Sequence, residues 1–311
     1  MADSIYDVII IGGGPGGYTA ALYCVRSGLS ALVIEKLSAG GQMAETEQVD
    51  NYPGAGEGVG GFELAERMRE GAEHFGAQTL YAQAQKADLR ANPKRITTDQ
   101  GERLGRSVVL AMGAYPRMLG LDGEQELRGK GIAYCAACDG MAYRGKTVAV
   151  AGGGNSAVAD ALMLAKLCAK VYLIHRRDTL TASKIYLKAL QENDVEILWN
   201  SRITRLLHDG RLTGVELAEV DTDRRRELAC DGLFVAIGRI PDTGLAAGQA
   251  EIDSSGYLVA DETTRTSIQG VFAVGDLRTK PMRQIVTAAA DGAVASRFVE
   301  EYLVELFSGQ P

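Results

Sequence analysis

Two cysteines separated by two alanines, Cys135 and Cys138, stand in the stretch GIAYCAACDG, with Asp139 directly after the second. Thiols at this spacing can supply half of a tetrahedral zinc site, close a structural disulfide, or shuttle between dithiol and disulfide. Structural zinc takes four ligands, commonly as two such pairs. The chain has no second CxxC, and His74 and His208 stand alone. A structural disulfide framework fits exported chains with an even cysteine count. Here the other three cysteines, Cys24, Cys168 and Cys230, are isolated in apolar surroundings, where a thiol is usually a small buried hydrophobe. A reversible redox couple is the natural reading: one thiol attacks and the other resolves. Asp139 could give or take the proton that disulfide cleavage moves, or cap a helix there.

A redox couple needs an electron source, and two stretches offer one. Tyr6–Ile11 is an apolar, β-branched run that breaks into Gly12-Gly13-Gly14-Pro15-Gly16-Gly17. A helical pattern follows, then a short apolar run, Ala31–Ile34, closed by Glu35. This is the strand, glycine turn, helix, strand and acid order of a dinucleotide site. Gly12 serves the tight turn, Gly14 the approach of backbone to a pyrophosphate, and Gly17 close helix–strand packing. The helix N-terminus faces the phosphates, and Glu35 can accept from ribose hydroxyls.

The order recurs at identical spacing. Thr147–Ala151 reads as a strand, Gly152-Gly153-Gly154-Asn155-Ser156-Ala157 as the turn, Val158–Leu167 as the helix and Val171–Ile174 as the next strand. His175 stands where the acid stood, with Arg176 and Arg177 behind it. A carboxylate suits the free ribose diol of FAD or NAD and repels a 2′-phosphate. Guanidinium groups pair bidentately with phosphate, so the second site should prefer NADPH. Hydride would then pass from NADPH to a flavin, with Asp276 placed to bond a ribityl or pyrophosphate group.

These motifs require elements to hold them. VVLAMG (Val108–Gly113) and LFVAIG (Leu233–Gly238) each read as a buried strand ending in a glycine turn, followed by Pro116 and Pro241 where the chain passes between domains. GVFAVGD (Gly270–Asp276) and a helical pattern over Arg283–Leu306 return it to the first domain. The expected fold is α/β: two Rossmann-like, three-layer ββα nucleotide-binding domains, the second inserted into the first. The FAD-binding domain is expected over 1–117 and 245–311, and the NADPH-binding domain, carrying the CxxC, over 118–244. A chain of 311 residues accommodates two such domains. A net charge of −7 argues against nucleic acid or an anionic membrane as partner. No basic n-region or spanning apolar run opens the chain, which is expected to be cytoplasmic.

In order and spacing, IIIGGGPGGYTAALY, GGQM, DNYPG, YCAACDG, GGGNSAVADAL, HRRD, VFAVGD and RQIVTAAADGAVAS resemble the low-molecular-weight thioredoxin reductases. The CxxC within the NADPH domain is specific to that group. The resemblance implies a homodimer in which electrons pass from NADPH through FAD and the Cys135–Cys138 disulfide to thioredoxin. It gives Cys138 to the flavin side, Cys135 to the attack on thioredoxin and Asp139 to acid/base work. It adds Pro15, Gly41, Gln42, Asn51, Gly113, Gly275, Arg283, Gln284 and Ile285 to the FAD site, and places Gly152, Gly154, Asn155, Ser156, His175, Arg176 and Arg177 at the NADPH site. The segments Tyr115–Arg117 and Arg239–Thr243 look like hinges.

Three positions depart from the family pattern. Met112 replaces a threonine, Asp50 replaces a glutamate, and Thr181 stands where a third arginine is usual, which weakens the charge offered to a 2′-phosphate. Relatives driven by ferredoxin or reduced flavin, and dithiol oxidases, lose GGGNSA and HRR, which this chain keeps. Ferredoxin–NADP reductases of this fold lack the CxxC, and reductases that feed a peroxiredoxin carry an extra N-terminal module. A flavin-bound redox sensor without turnover is the non-enzyme alternative.

Overall fold

The computed structural model describes residues 5–308 apart from 47, 57 and 183. The chain divides into two compact units, one made of 1–115 with 240–311 and the other of 116–239. The two crossings, Ala114–Pro116 and Arg239–Pro241, pair with each other as a two-stranded sheet.

In the discontinuous unit, Gln78–Tyr81, Ala31–Glu35, Ile5–Ile11 and Gly101–Leu110 form a parallel sheet in that order. The last strand is long, and its two halves do different work. Val108–Leu110 pairs in parallel with Val271–Ala273, while Gly101–Gly105 pairs antiparallel with Lys94–Thr98. Strands buried on both faces should be apolar throughout rather than alternating, and Val8 to Ile11 are all buried. Successive side chains then go to opposite cores. Val8, Ile10, Val33 and Val109 join the helices Pro15–Arg26, Gly61–His74 and Ile285–Ser308, whereas Ile9, Ile11, Leu32 and Leu110 join the antiparallel side.

The 116–239 unit repeats the plan. Val195–Leu198, Lys170–Ile174, Thr147–Ala151, Gly232–Val235 and Ile132–Ala133 form a parallel sheet in that order. Val148, Val150, Leu173 and Phe234 pack toward the helix Asn155–Ala165. Ala149, Ala151, Leu233 and Val235 pack instead against Leu206, Val215 and Leu217 of a three-stranded antiparallel sheet, Ser201–His208, Leu212–Glu219 and Arg225–Ala229. Both units are thus Rossmann-like, with helices on one face of a parallel sheet and antiparallel strands on the other.

The helices Pro15–Arg26 and Ile285–Ser308 touch backbone to backbone. A Cβ built on Gly292 would lie 2.3 Å from the Gly16 carbonyl oxygen and 2.8 Å from the Ala20 nitrogen. Neither neighbour is a side chain that can turn away, so Gly292→Ala forces the helices apart. Overpacking of this kind costs about 1–3 kcal/mol. Gly71, inside the helix Gly61–His74, has nothing within 4 Å of its Cβ position. Gly71→Ala should therefore stabilise by about 0.5–1 kcal/mol through helix propensity alone. Urea unfolding midpoints of the two variants are expected to move in opposite directions; equal shifts would remove the close crossing as their cause.

Candidate functional site

Both glycine loops are built by the same hydrogen bonds. Gly12 N donates to Ile34 O at 2.9 Å and Gly152 N to Ile174 O at 3.1 Å; Ala111 N donates to Ile11 O and Ala236 N to Ala151 O, each at 2.8 Å. The first glycine of each loop faces the end of the neighbouring strand. A Cβ on Gly12 would lie 2.5 Å from Ala111 O, and one on Gly152 would lie 2.5 Å from Ala236 O. Both take positive φ, +107° and +154°. Gly17 is required by contact, since its Cβ would meet Gly12 O at 1.9 Å.

Gly14 and Gly154 differ from these. Their φ values are −79° and −89°, open to any residue, and the atoms nearest their Cβ positions are Gly40 O at 3.9 Å and Thr181 Oγ1 at 3.8 Å. Neither strain nor packing asks for glycine there, which is the signature of a backbone kept bare for a ligand. Each is the N-cap of a helix that has no side-chain cap and no acid in its first turn. A helix start of this kind can receive an anion on its backbone. A cradle for a dinucleotide pyrophosphate thus fits both loops.

Around the first loop, Glu35 Oε2 accepts from Gly13 N at 2.7 Å and Oε1 from Leu37 N at 3.1 Å. A Cβ at Gly41 or Gly113 would project into open space, at φ +54° and +74°. The Gln42 amide donates to Ala114 O. Asn51 Nδ2 donates to Gln284 Oε1 at 3.1 Å, one residue before Ile285 opens the last helix. The Arg283 guanidinium lies 4.0 Å over the Tyr257 ring and reaches Asp276 O at 3.4 Å. Asp276 is half-buried in the short turn Gly275–Leu277.

That turn is held from behind by a cluster absent from the expectations above. Asp291 accepts from Gly275 N at 2.8 Å, from Arg278 Nε and Nη2 at 3.0 and 2.8 Å, and from Lys280 Nζ at 2.7 Å. Arg278 and Asp291 are buried. Burial alone would raise the Asp291 pKa, but the bonds from Arg278 and Lys280 hold it below the ordinary carboxylate range. The available signal was an acid inside the small, apolar run AAADGAVAS, where a buried charge demands partners.

In the second loop, Asn155 and Ser156 are exposed at the start of their helix, and Arg176 and Arg177 are exposed beyond the strand Lys170–Ile174. His175 is buried. Its ring lies where a Gly153 side chain would be, 2.1 Å from the Cβ position, and Nε2 meets Thr179 O at 3.0 Å. Thr181 is tied to the loop, its N and Oγ1 donating to Gly153 O at 2.9 and 3.1 Å.

Cys135 and Cys138 are joined by a disulfide, with Cα atoms 5.3 Å apart. Cys135 is the N-cap of the single helical turn Ala136–Asp139, and Cys138 N and Asp139 N donate to its carbonyl at 3.2 and 3.1 Å. Asp139 ends the turn. Its pKa is raised to about 6, because burial outweighs the opposing pull of the Arg128 charge. A carboxyl poised there holds or yields a proton near neutral pH. The other thiols are withdrawn from such chemistry: burial pushes Cys24 and Cys230 up to about 12 and raises Cys168 as well. Cys168 is only partly buried, because it lies in the loop after the helix Asn155–Ala165 rather than inside it.

The pyridine nucleotide-disulphide oxidoreductase family matches residues 6–292. A thioredoxin reductase of Treponema pallidum is 43% identical over 299 residues, covering 96% of this chain and 97% of its own. A bifunctional thioredoxin reductase/thioredoxin of Mycobacterium leprae is 42% identical, covering 97% of this chain and 67% of its own. The crystal structure of thioredoxin reductase from Streptococcus pyogenes superposes with a TM-score of 0.90 at 38% identity, over 98% of this chain and all of the other. Two matching glycine loops and a disulfide next to a poised carboxyl agree with these likenesses, and the chain belongs to the pyridine nucleotide-disulphide oxidoreductases, among the thioredoxin reductases.

Proposed function

We propose that the chain is an NADPH-dependent thioredoxin reductase with FAD in the unit made of 1–115 and 240–311 and NADPH in the 116–239 unit. The observation that carries this reading is the Cys135–Cys138 disulfide, with Asp139 next in sequence, in the unit whose second strand is followed by two exposed arginines. The family supplies a flavin and a pyridine nucleotide, and the name of the Mycobacterium leprae relative pairs reductase with thioredoxin in one protein. When bound, a flavin passes two electrons from a nicotinamide hydride to a disulfide.

Gly12, Gly14, Pro15 and Gly17 shape the FAD cradle, Glu35 accepts from the ribose, and Gly41, Gln42, Asn51 and Gly113 line the remainder. Gly275, Asp276, Arg283, Gln284 and Ile285 close it from the other side. Gly152, Gly154, Asn155 and Ser156 receive the NADPH pyrophosphate, and Arg176 and Arg177 its 2′-phosphate. The reduced pair then works by exchange. The Cys135 thiolate attacks one sulfur of the thioredoxin disulfide, forming a mixed disulfide, while the departing thiolate takes a proton from Asp139. Cys138 passes its proton to the Asp139 carboxylate and attacks Cys135, which restores the internal disulfide and frees the second thioredoxin sulfur to take that proton from Asp139. The working form is a cytoplasmic homodimer.

The direct test is NADPH oxidation by purified, yellow protein with and without a thioredoxin. Turnover is expected only with thioredoxin, and released flavin should be FAD. FMN, or no turnover with any disulfide protein, refutes the assignment. Two arginine–phosphate bonds, at about 1.5–3 kcal/mol each and discounted for exposure, predict an NADPH preference of roughly tens- to hundreds-fold over NADH. Cys138→Ser should accumulate a mixed disulfide with thioredoxin on a non-reducing gel, while Cys135→Ser should not. Trapping by Cys135→Ser would exchange the two roles.

Gly14→Ala separates cradle from scaffold. Because nothing crowds that Cβ, the flavin-free variant should unfold at a urea concentration close to that of flavin-free wild type, yet the variant as purified should lose most of its flavin on gel filtration. Retained flavin would show that the cradle lies elsewhere.

Asp139 sets a pH dependence. Its folded pKa of about 6 exceeds the unfolded value near 3.8, so folding favours the protonated form. The charged form destabilises above pH ~6, by up to about 3 kcal/mol, and the cost disappears below pH ~4. Asp139→Asn should therefore be more stable than wild type at pH 7.5 and equal to it at pH 4. As an acid, Asp139 should also give thioredoxin reduction a limb that falls as pH rises through about 6, absent from Asp139→Asn. Parallel profiles in the two proteins would remove Asp139 from the proton path.

A further inference from the structure

The loop bearing Arg176 and Arg177 is tied down at its root, its middle and its far end. At its root, His175 N donates to Leu198 O and Ser201 N to His175 O, each at 3.0 Å, and Asn200 N donates to Arg177 O at 3.2 Å. In its middle, His175 Nε2 meets the carbonyl of Thr179 at 3.0 Å. A carbonyl oxygen only accepts, so Nε2 carries the hydrogen. At its far end three donors converge on one oxygen, Gly153 O: Thr181 N at 2.9 Å, Ala182 N at 3.1 Å and Thr181 Oγ1 at 3.1 Å. Gly153 sits between the two glycines of the nucleotide loop, Gly152 and Gly154, and the His175 ring fills the space its side chain would take.

We propose that Thr181 is a positioning residue for nucleotide selection: with His175, it braces the 176–182 loop on the Gly153 peptide, so that Arg176 and Arg177 meet a 2′-phosphate from a preformed loop. Both arginines are exposed and long, and an unbraced loop would lose much of their binding to conformational entropy. The Thr181 hydroxyl thus does indirectly what a charge at this position would do directly. Thr181→Arg adds a cation but removes the hydroxyl bond to Gly153 O, so the gain expected from charge alone is reduced. His175, although next to the arginines, is spent on Gly153 and Thr179 and acts through the loop.

This inference rests on the reading of the 116–239 unit as an NADPH site, and the test keeps the two apart. The probes are 2′,5′-ADP and 5′-AMP, which differ by the phosphate in question, titrated calorimetrically into the purified flavoprotein. Wild type is expected to bind 2′,5′-ADP at least tenfold more tightly. Thr181→Val, which keeps the shape and drops the hydroxyl, should weaken 2′,5′-ADP about three- to tenfold and 5′-AMP less than twofold. Thr181→Ser should recover the wild-type value. In turnover, the valine variant should raise KM for NADPH by a similar factor with kcat held within about twofold. If Thr181→Val binds 2′,5′-ADP like wild type, or weakens both probes equally, the brace is overturned while the NADPH reading stands. If wild type does not distinguish the probes, the NADPH reading falls and the brace with it.

Discussion

The architecture of each unit depends on how closely a helix can come to the strand that precedes it. In the first unit the limit is the 1.9 Å between a Gly17 Cβ and Gly12 O, which only glycine avoids. In the second, Ala157 carries a methyl at the matching position. The room comes instead from Gly152, whose own Cβ would meet that methyl at 2.6 Å. Two different residue choices reach one geometry. In both, the helix starts at a glycine without a side-chain cap. The close crossing of Gly16 and Gly292 then fixes the last helix of the first unit, and with it the segment from Asp276 to Ile285.

Three carboxyls at key positions are treated in three ways. Glu35 is held by backbone, accepting from Gly13 N and Leu37 N. Asp291 is buried but drawn to the charged form by Arg278 and Lys280, so it is a fixed anion that anchors the Gly275 turn. Asp139 is buried with only the Arg128 charge opposing, and its pKa rises to about 6. The contrast assigns the work: a carboxyl with four committed N–H donors cannot exchange protons near neutrality, while one lacking them can.

Strands and helices were legible because their signals are local. The strand Thr147–Ala151 agrees with its apolar run to the residue, and Tyr6–Ile11 and Val171–Ile174 each gain only one residue. The helix expected over Val158–Leu167 runs from Asn155 to Ala165, since the glycine turn itself supplies its N-cap. The Val108–Gly113 strand proves to be the end of the longer Gly101–Leu110, whose polar first half pairs with a surface hairpin and lacks an apolar run. What stayed hidden depends on pairs distant in the chain. Gly13 and Gly153 are needed because Glu35 and His175 occupy the space beside them, and nothing in the glycine spacing says so. Thr181 reads as a missing arginine until its bonds to Gly153 O are seen. Asp291 is a different case: Arg278 and Gly275 are near it in sequence, yet its role appears only when the helix folds back over the turn.

Confining thiol chemistry to one turn has a physical basis in the remaining cysteines. A thiol exchanges with a disulfide through its thiolate, so reactivity follows pKa and access. Cys24 and Cys230 are buried among apolar side chains that make the thiolate costly, and both are held up at about 12. At neutral pH the thiolate fraction is then on the order of 10⁻⁵, too small to compete for a partner's disulfide. Cys168 is more accessible, but burial still raises its pKa. Cys135 and Cys138 sit instead on a four-residue turn, both partly exposed, with a proton-holding carboxyl next in sequence. Exchange with a partner's disulfide is therefore confined to this turn, by burial of the other thiols as much as by the cysteine motif.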